Sequence, residues 1–269
     1  MSAGLVLAAF VLAGAMPCLG QETPEYRLNT HFLAAFARDF AAAVTSPLHW
    51  HGRDLGRFAL VGGATLGAAA FDEGIRDWSQ DRRTEESDDI SAVFETAGNG
   101  AFLLGLSAAL YAAGEIWDSR GLRKTALLSV ESLATASALA AAMKIIIGRA
   151  RPYAGEGPYS FHPFSTQSAH NSFPSGHATA AFAVATTIAC QTRGVAVDIL
   201  AYSTAVMVGL SRIHDDKHWT SSVIAGSALG YFVARTINGR HAAGGTSKGV
   251  KLGFQLGPQR QALVLTCAF

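Results

Sequence analysis

Three polar clusters separate apolar segments of this chain, and the first cluster carries cations. Lys144 and Arg151 lie seven positions apart, with Arg149 between them and Pro152 immediately after. On a helix this spacing is about two turns, which puts Lys144 and Arg151 on nearly the same face. Because a proline disfavours helix continuation, Arg151 is expected in the last turn. The pair suits an anion, although cations at a helix C-terminus also serve as caps.

The second cluster is Pro174-Ser175-Gly176-His177, which an apolar segment follows directly. A Pro-Ser-Gly turn before a helix exposes backbone N–H groups and a hydroxyl at the positive end of the helix dipole, an arrangement that favours oxyanion binding. His177 would then lie in the first turn, beside the anion. The alternative is that Ser175 is simply the N-cap of the helix.

The third cluster, Ser211–Ser222, concentrates charged and imidazole side chains between two apolar segments. Arg212 and His218 suit phosphate chemistry, as a cation and a nucleophile. A metal site is a second interpretation, because His214 and His218 are four positions apart with two aspartates between them. A solvated loop is the third.

Together the clusters match the patterns KxxxxxxRP, PSGH and SRxxxxxHxxxD. On these residues, from Lys144 to Ser222, the chain resembles the type 2 phosphatidic acid phosphatase (PAP2) / vanadium haloperoxidase superfamily. The resemblance implies an all-α, PAP2-type bundle of about six core helices. It also implies hydrolysis of a phosphomonoester or pyrophosphate through a phosphohistidine intermediate, with no metal or other cofactor.

The resemblance gives each matched residue a role. The residues that would bind phosphate are Lys144, Arg151, Ser175, Gly176 and Arg212. His218 would attack phosphorus, and His177 would protonate the leaving oxygen. The side chains suit these roles, because phosphoryl transfer depends mainly on positioning and on charge stabilisation, which three protein cations supply.

Ser222 departs from the family pattern, which has an aspartate four residues after the histidine. The family aspartate orients the nucleophilic imidazole through its second ring nitrogen, and Ser222 is expected to accept that hydrogen bond without a charge. Losing a charged hydrogen bond costs roughly 1–2 kcal/mol, which predicts a chemical step about 5- to 30-fold slower. Ser222→Asp is then expected to raise turnover, unless Asp198, Asp215 or Asp216 takes over the role.

Composition restricts the class of protein. Of the 269 residues, 49% are apolar and 15% are charged, and the net charge is +1. These values exclude a disordered chain and give no indication of nucleic-acid binding. Six alanine-rich apolar segments are long enough for helices. They are residues 58–71, 101–114, 125–148, 175–192, 195–210 and 219–234.

The remaining segments predict the organisation around this bundle. Residues 1–20 have the pattern of a signal peptide cleaved near Gly20, or else of a retained first membrane helix. Residues 21–57 are a polar segment with one amphipathic helix, and 58–238 form the PAP2-like domain. Residues 239–269 are a basic tail whose alternating pattern around Gly257-Pro258 predicts a β-hairpin.

Two polar connections interrupt the bundle. Residues 72–95 hold nine acidic side chains against three arginines and are expected to be a polar joint. The loop between Pro152 and Pro174 carries several aromatic residues, which suit one wall of a lipid-binding mouth or a surface loop that packs on itself.

Several apolar segments are shorter than the roughly 20 residues that span a bilayer, so integral and soluble forms both stay open. We expect an exported phosphatase in the inner membrane, with a periplasm-facing site that acts on a phosphorylated lipid or isoprenoid. One alternative is a soluble periplasmic acid phosphatase that also takes small phosphoesters. Others are a weakly active or inactive anion-binding homologue, a vanadate-dependent haloperoxidase and a non-catalytic envelope protein.

Overall fold

The computed structural model describes residues 26–192, 194–242, 250–257 and 260–267, so the predicted signal peptide lies outside the described residues. The described chain forms nine α-helices and a two-stranded sheet. The helices are α1 (Thr30–Thr45), α2 (Gly52–Ala69), α3 (Asp72–Gln80), α4 (Glu85–Gly98), α5 (Gly100–Ile116), α6 (Arg120–Ile147), α7 (Gly176–Gln191), α8 (Val195–His214) and α9 (Thr220–Arg240).

The prediction of an all-α protein is confirmed. Each of the six apolar segments is a helix, namely α2 and α5 to α9, and the amphipathic stretch near the N-terminus is α1. Alanine has the highest helix propensity of the residues, so segments this rich in alanine favour helix throughout.

The acidic segment 72–95 is not a joint but folds into α3 and most of α4. At the start of α4 the Thr84 hydroxyl accepts the backbone N–H of Ser87 at 3.2 Å. Glu85, Glu86 and Asp88 occupy the first turn, where negative charge stabilises the helix dipole. Acidic residues therefore begin a helix here.

The core has α6 and α7 at its centre. One apolar cluster joins these two helices to α5 and α8, with Leu133, Val184 and Val208 among its buried members. A second cluster joins them to α9 through Leu128 and Ile237. Buried alanines on α6 and α7 allow the helices to approach closely.

Glycines bring α9 close to the start of α7, near the Pro174–His177 cluster. A Cβ at Gly226 would lie 2.5 Å from the carbonyl oxygen of Ser175, and one at Gly230 would overlap the carbonyl oxygen of Thr179. Buried polar side chains also join the helices, since Asn238 donates to Thr187 at 3.1 Å and Thr187 donates to Ser132 at 3.0 Å. Small residues and interhelical hydrogen bonds are typical of helix packing in membranes.

The apolar helices indicate a membrane protein. By length and composition, α6 and α8 can each cross a bilayer. The pairs α2–α3 and α4–α5 also pass as spans when each is taken together, with bends of 56° and 59°. Large apolar side chains such as Leu60, Leu66 and Val195 are more than 70% exposed, as lipid-facing residues are.

The C-terminal backbone forms an antiparallel pair of strands, β1 (Val250–Gly257) and β2 (Arg260–Cys267). Its register runs from Val250 opposite Cys267 to Gly257 opposite Arg260. This is the position of the predicted hairpin. The pair belongs to a second compact unit, Gly239–Phe269.

Candidate active site

The three clusters meet where α6 ends and α7 begins. Lys144 lies in the last turn of α6 and Gly176 is the first residue of α7. A Cβ on Gly176 would lie 3.2 Å from the Lys144 ammonium nitrogen. The absence of a side chain at Gly176 therefore lets the ammonium approach the N-terminus of α7.

Arg151 does not lie in the last turn of α6, as the sequence had predicted. The helix ends at Ile147 because Gly148 adopts a left-handed conformation, with φ of +60°. A Cβ at Gly148 would overlap the carbonyl oxygen of His162, so glycine is required there. Arg151 is in extended backbone three residues further on, and the prediction that Lys144 and Arg151 share a helix face was wrong.

Ser175 is the residue before α7, but its hydroxyl does not cap the helix. Its backbone N–H donates to the carbonyl of Ser222 at 2.9 Å. Its Oγ is buried and has no hydrogen-bond partner within the described chain. A buried hydroxyl without a partner at a helix N-terminus is suited to an anion, which would satisfy it.

Arg151 and Arg212 add unsatisfied donors to the same site. The Nε atoms of both guanidinium groups are buried without a hydrogen-bond partner among the described residues. Nη1 of Arg212 lies 3.0 Å from a carboxylate oxygen of Glu95 and 3.1 Å from one of Asp215, which orients its side chain. Buried polar groups are normally paired, so these donors are suited to binding an anion.

His218 is buried and its ring orientation is defined. Nδ1 lies 2.7 Å from the carbonyl oxygen of Ser172. Because a carbonyl only accepts, Nδ1 carries the proton and Nε2 of the neutral ring keeps a free electron pair. Burial, together with Lys144 and Arg151, lowers the pKa of His218 well below its usual value, so the ring is neutral near pH 7.

His177 lies in the first turn of α7 and experiences the same cations. Burial is the main cause that lowers its pKa to about 4, and the positive charges of Arg212, Lys144 and Arg151 lower it further. Glu95 acts in the opposite direction. The shared effect of these cations on both histidines places all five side chains in one electrostatic environment.

Ser222 does not accept a hydrogen bond from His218, because the carbonyl of Ser172 takes that role. The Ser222 hydroxyl instead accepts from Nη1 of Arg149 at 3.0 Å. The expectation that the serine orients the nucleophile was therefore wrong. The local reason is geometric, since Ser172 precedes α7 and turns its carbonyl toward the histidine.

The aspartates considered as substitutes also bind elsewhere. Asp216 accepts from Arg76 at 2.6 and 2.9 Å. Asp215 accepts from Ser91 at 2.6 Å, and Asp198 accepts from Thr192 at 3.2 Å.

A fourth carboxylate, that of Asp72, occupies the region that sequence reasoning assigned to position 222. It is 1% exposed and forms an ion pair with Arg149 at 2.8 Å. It also accepts the backbone N–H of Ser221 at 2.9 Å and the hydroxyl of the same serine. No local pattern distinguishes Asp72 from the other acidic residues of its segment.

The two imidazoles of the third cluster do not share a metal. Nε2 of His214 lies 2.8 Å from a carboxylate oxygen of Asp88 on α4, whereas His218 bonds Ser172. This finding contradicts the metal interpretation of the pair.

The loop between Pro152 and Pro174 holds a separate group of side chains. Glu156 lies 2.6 Å from His162 and 3.4 Å from His170, and its pKa is lowered to about 2, mainly by the hydrogen bond from His162. The two imidazoles stack with centroids 3.8 Å apart and planes inclined by 14°. In nearly parallel rings the nitrogen electron pairs do not converge on one point, so we assign a hydrogen-bonded cluster that stabilises the loop.

The chain has relatives of known type. A model of the PAP2 superfamily matches residues 125–242. A lipid A 1-phosphatase of Rhizobium johnstonii is 42% identical over 94 residues, which are 34% of this chain and 38% of that protein. A lipid A 1-phosphatase of Porphyromonas gingivalis is 40% identical over 82 residues, 29% of this chain and 18% of that one. The matches thus cover less than half of each of these relatives.

Among solved structures, the crystal structure of a transmembrane PAP2 type phosphatidylglycerolphosphate phosphatase from Bacillus subtilis superposes with a TM-score of 0.52. It is 23% identical, and the match covers 80% of this chain and 98% of that one, which shows a shared fold. The family match spans all three motif clusters, and the structure brings those clusters together. The region that holds the three motifs, within residues 125–242, is thus similar to the PAP2 superfamily.

Proposed function

We propose that this protein is a membrane phosphatase that hydrolyses a phosphomonoester or pyrophosphate of a lipid through a phosphohistidine. The observation that carries the proposal is a buried nucleophile surrounded by donors without partners. Nε2 of His218 is left free by the hydrogen bond at Nδ1. Ser175 Oγ and the Nε atoms of Arg151 and Arg212 have no acceptor in the described part of the chain.

A phosphoryl group supplies the missing acceptors. Its three non-bridging oxygens would accept from Arg151, Arg212 and Ser175, while the ammonium of Lys144 neutralises charge near the N-terminus of α7. Such donors are fixed before the reaction, so they stabilise the charge of the transition state with little reorganisation.

In the first step the electron pair on Nε2 of His218 forms a bond to phosphorus as the bond to the leaving oxygen breaks. His177 gives its proton to that oxygen. In the second step His177 takes a proton from water, whose oxygen attacks phosphorus, and the P–N bond breaks to release inorganic phosphate. The Ser172 carbonyl stabilises the positive charge on the phosphorylated ring through Nδ1–H.

The protein's own charges and burial keep His177 largely neutral near pH 7, because its pKa is about 4. A bound dianion opposes the cations that lower this pKa, so substrate binding itself favours the protonated acid. We infer that His177 becomes the general acid only when the site is occupied.

A lipid substrate is supported by the surroundings of the site. Tyr159, Phe161 and Phe164, on the loop beside Arg151, are each at least half exposed. The loop contacts two apolar helices, since Tyr159 donates to the Ala69 carbonyl on α2 and the Phe164 N–H donates to the Ile145 carbonyl on α6. The curated relatives are lipid A 1-phosphatases. A phosphorylated lipid, with lipid A as the first candidate, suits an anion site beside exposed aromatic side chains.

The proposed location is the inner membrane with the site facing the periplasm. The signal-like segment 1–20 supports export of the following domain. In a Tyr159→Cys variant whose native cysteines are replaced by serine, the exposed loop thiol should react in whole cells with a maleimide that does not cross the inner membrane. Labelling only after lysis would place the loop on the cytoplasmic side.

Purified protein in detergent tests the activity. We expect phosphate release from 1-phosphorylated lipid A or phosphatidic acid to exceed release from p-nitrophenyl phosphate. His218→Ala should lower the rate by at least about 10³-fold, since it removes the nucleophile. His49→Ala is the matched control, because that imidazole is exposed and hydrogen-bonds the Thr45 carbonyl, away from the three motifs.

Equal rates for wild type and His218→Ala would overturn the enzymatic proposal and favour an anion-binding homologue. Faster release from p-nitrophenyl phosphate than from either lipid would instead favour a broad-specificity phosphatase.

A further inference from the structure

Asp72 lies far from the motifs in sequence yet is buried next to them. We propose that Asp72 is a positioning residue for His218, and that it supplies the carboxylate that the family places at position 222. The proposal rests on the proposed phosphatase function. It assigns to α3 a part in the reaction that the three motifs do not include.

The carboxylate of Asp72 is fully engaged. Oδ1 accepts the backbone N–H of Ser221 at 2.9 Å, and Oδ2 accepts from the Ser221 hydroxyl and from Nη2 of Arg149 at 2.8 Å. Ser221 is the second residue of α9 and lies three positions after His218. Asp72 therefore satisfies a free N–H in the first turn of α9 and stabilises its positive end.

The guanidinium of Arg149 is a structural cation rather than a phosphate ligand. Its five N–H donors are used by five hydrogen bonds. The acceptors are the Pro158 carbonyl, twice, and the side chains of Asp72, Ser221 and Ser222. Arg149 is 3% exposed, and among the described residues the carboxylate that balances its charge is that of Asp72.

This ion pair connects to the nucleophile by two routes. On one side, the Arg149 carbonyl accepts the N–H of Ser172 at 3.0 Å, and the Ser172 carbonyl accepts from Nδ1 of His218. On the other side, Asp72 holds the start of α9, which begins two residues after His218. Displacement of Arg149 or Ser221 would therefore change the direction in which Nε2 points.

The contact of Ser222 with Arg149 explains why a single carboxylate is sufficient to balance the charge of that guanidinium. The Ser222 hydroxyl is 3.0 Å from Nη1 of Arg149, so an aspartate side chain there would reach the same guanidinium that Asp72 already binds. One cation with one carboxylate is balanced, whereas a second buried carboxylate beside the first is repelled. The family aspartate and Asp72 are thus alternative sources of the same charge.

Charge relocation tests this directly. Asp72→Asn should lower kcat for a phosphate ester by about 10- to 100-fold, because a charge-assisted hydrogen bond is lost, with KM changed less than about threefold. The kcat of the double variant Asp72→Asn/Ser222→Asp should be at least about tenfold higher than that of Asp72→Asn alone. Ser222→Asp alone should give no gain. Asp77→Asn is the matched control on the same helix and should leave kcat within about twofold, since Asp77 is exposed.

The outcomes separate the two proposals. Activity that survives His218→Ala would overturn the phosphatase proposal itself. His218-dependent activity that Asp72→Asn leaves unchanged would overturn only the role of Asp72. If Asp72→Asn does not fold, the double variant still decides, because it must fold and turn over when position 222 carries the charge. A double variant without that recovery overturns the proposal.

Discussion

The strongest test of the site concerns proton uptake at His177 when an anion binds. The pKa of His177 is about 4, because the ring is buried near Arg212, Lys144 and Arg151. At pH 6 about 1% of such rings carry a proton. Two unit charges at about 4 Å in a partly buried site interact by about 4 kcal/mol, which corresponds to about 3 pKa units. A bound anion should therefore raise the pKa of His177 to about 7.

This shift links affinity to pH. Between the pKa of His177 in the free protein and its pKa in the complex with the anion, binding takes up one proton, and affinity falls about tenfold for each unit of rising pH. The Kd for sulfate, which does not titrate in this range, should thus increase up to about 100-fold between pH 5 and pH 7. Isothermal titration in two buffers of different ionisation enthalpy counts the protons taken up.

The His177→Gln variant isolates the contribution of this ring. It keeps a polar side chain but cannot titrate, so it should take up about one proton fewer for each sulfate bound. His218 also has a lowered pKa, so it can take up a proton when the anion binds. The contribution of His177 is therefore the difference in proton uptake between wild type and His177→Gln. Equal proton uptake in wild type and His177→Gln, or a Kd independent of pH, would refute this reasoning.

Two further predictions concern glycines that position the site. Gly148→Ala should lower the free energy of unfolding by about 2–4 kcal/mol, because it adds a Cβ at positive φ against the His162 carbonyl. Denaturant unfolding measures this, and Gly155→Ala, which has positive φ in open space, should cost no more than about 1 kcal/mol. Gly230→Ala should separate α9 from α7 and lower kcat at least about tenfold, because it moves His218 relative to His177. Gly239→Ala in open space is its control, and equal kcat values in the two variants would contradict the prediction.

The residues proposed to bind phosphate could be selected from the sequence because their signals are local. The segment after Pro174 combines a turn with a helix start, and Lys144 and Arg151 precede it within one short region. Helix propensity and apolar pattern likewise predicted α5 to α9, since each helix carries its own pattern over 16 or more residues. The end of α6 was placed too late because Gly148 ends the helix through backbone conformation and a contact with His162.

Only the tertiary structure decided how the nucleophile is held. Asp72 and Ser221 are separated by 149 positions, and Arg149 reaches Ser222 across 73. No periodicity in the sequence predicts these hydrogen bonds, because they depend on how α3, α9 and the loop after α6 pack together. The orientation of His218 could not be predicted from the sequence either. It depends on the backbone carbonyl of Ser172, and because every residue has a carbonyl, no residue type indicates which one is used. The sequence by itself therefore determined which groups are candidates for binding and transferring phosphate, while packing determined that the Ser172 carbonyl orients His218 and that Asp72 pairs with Arg149.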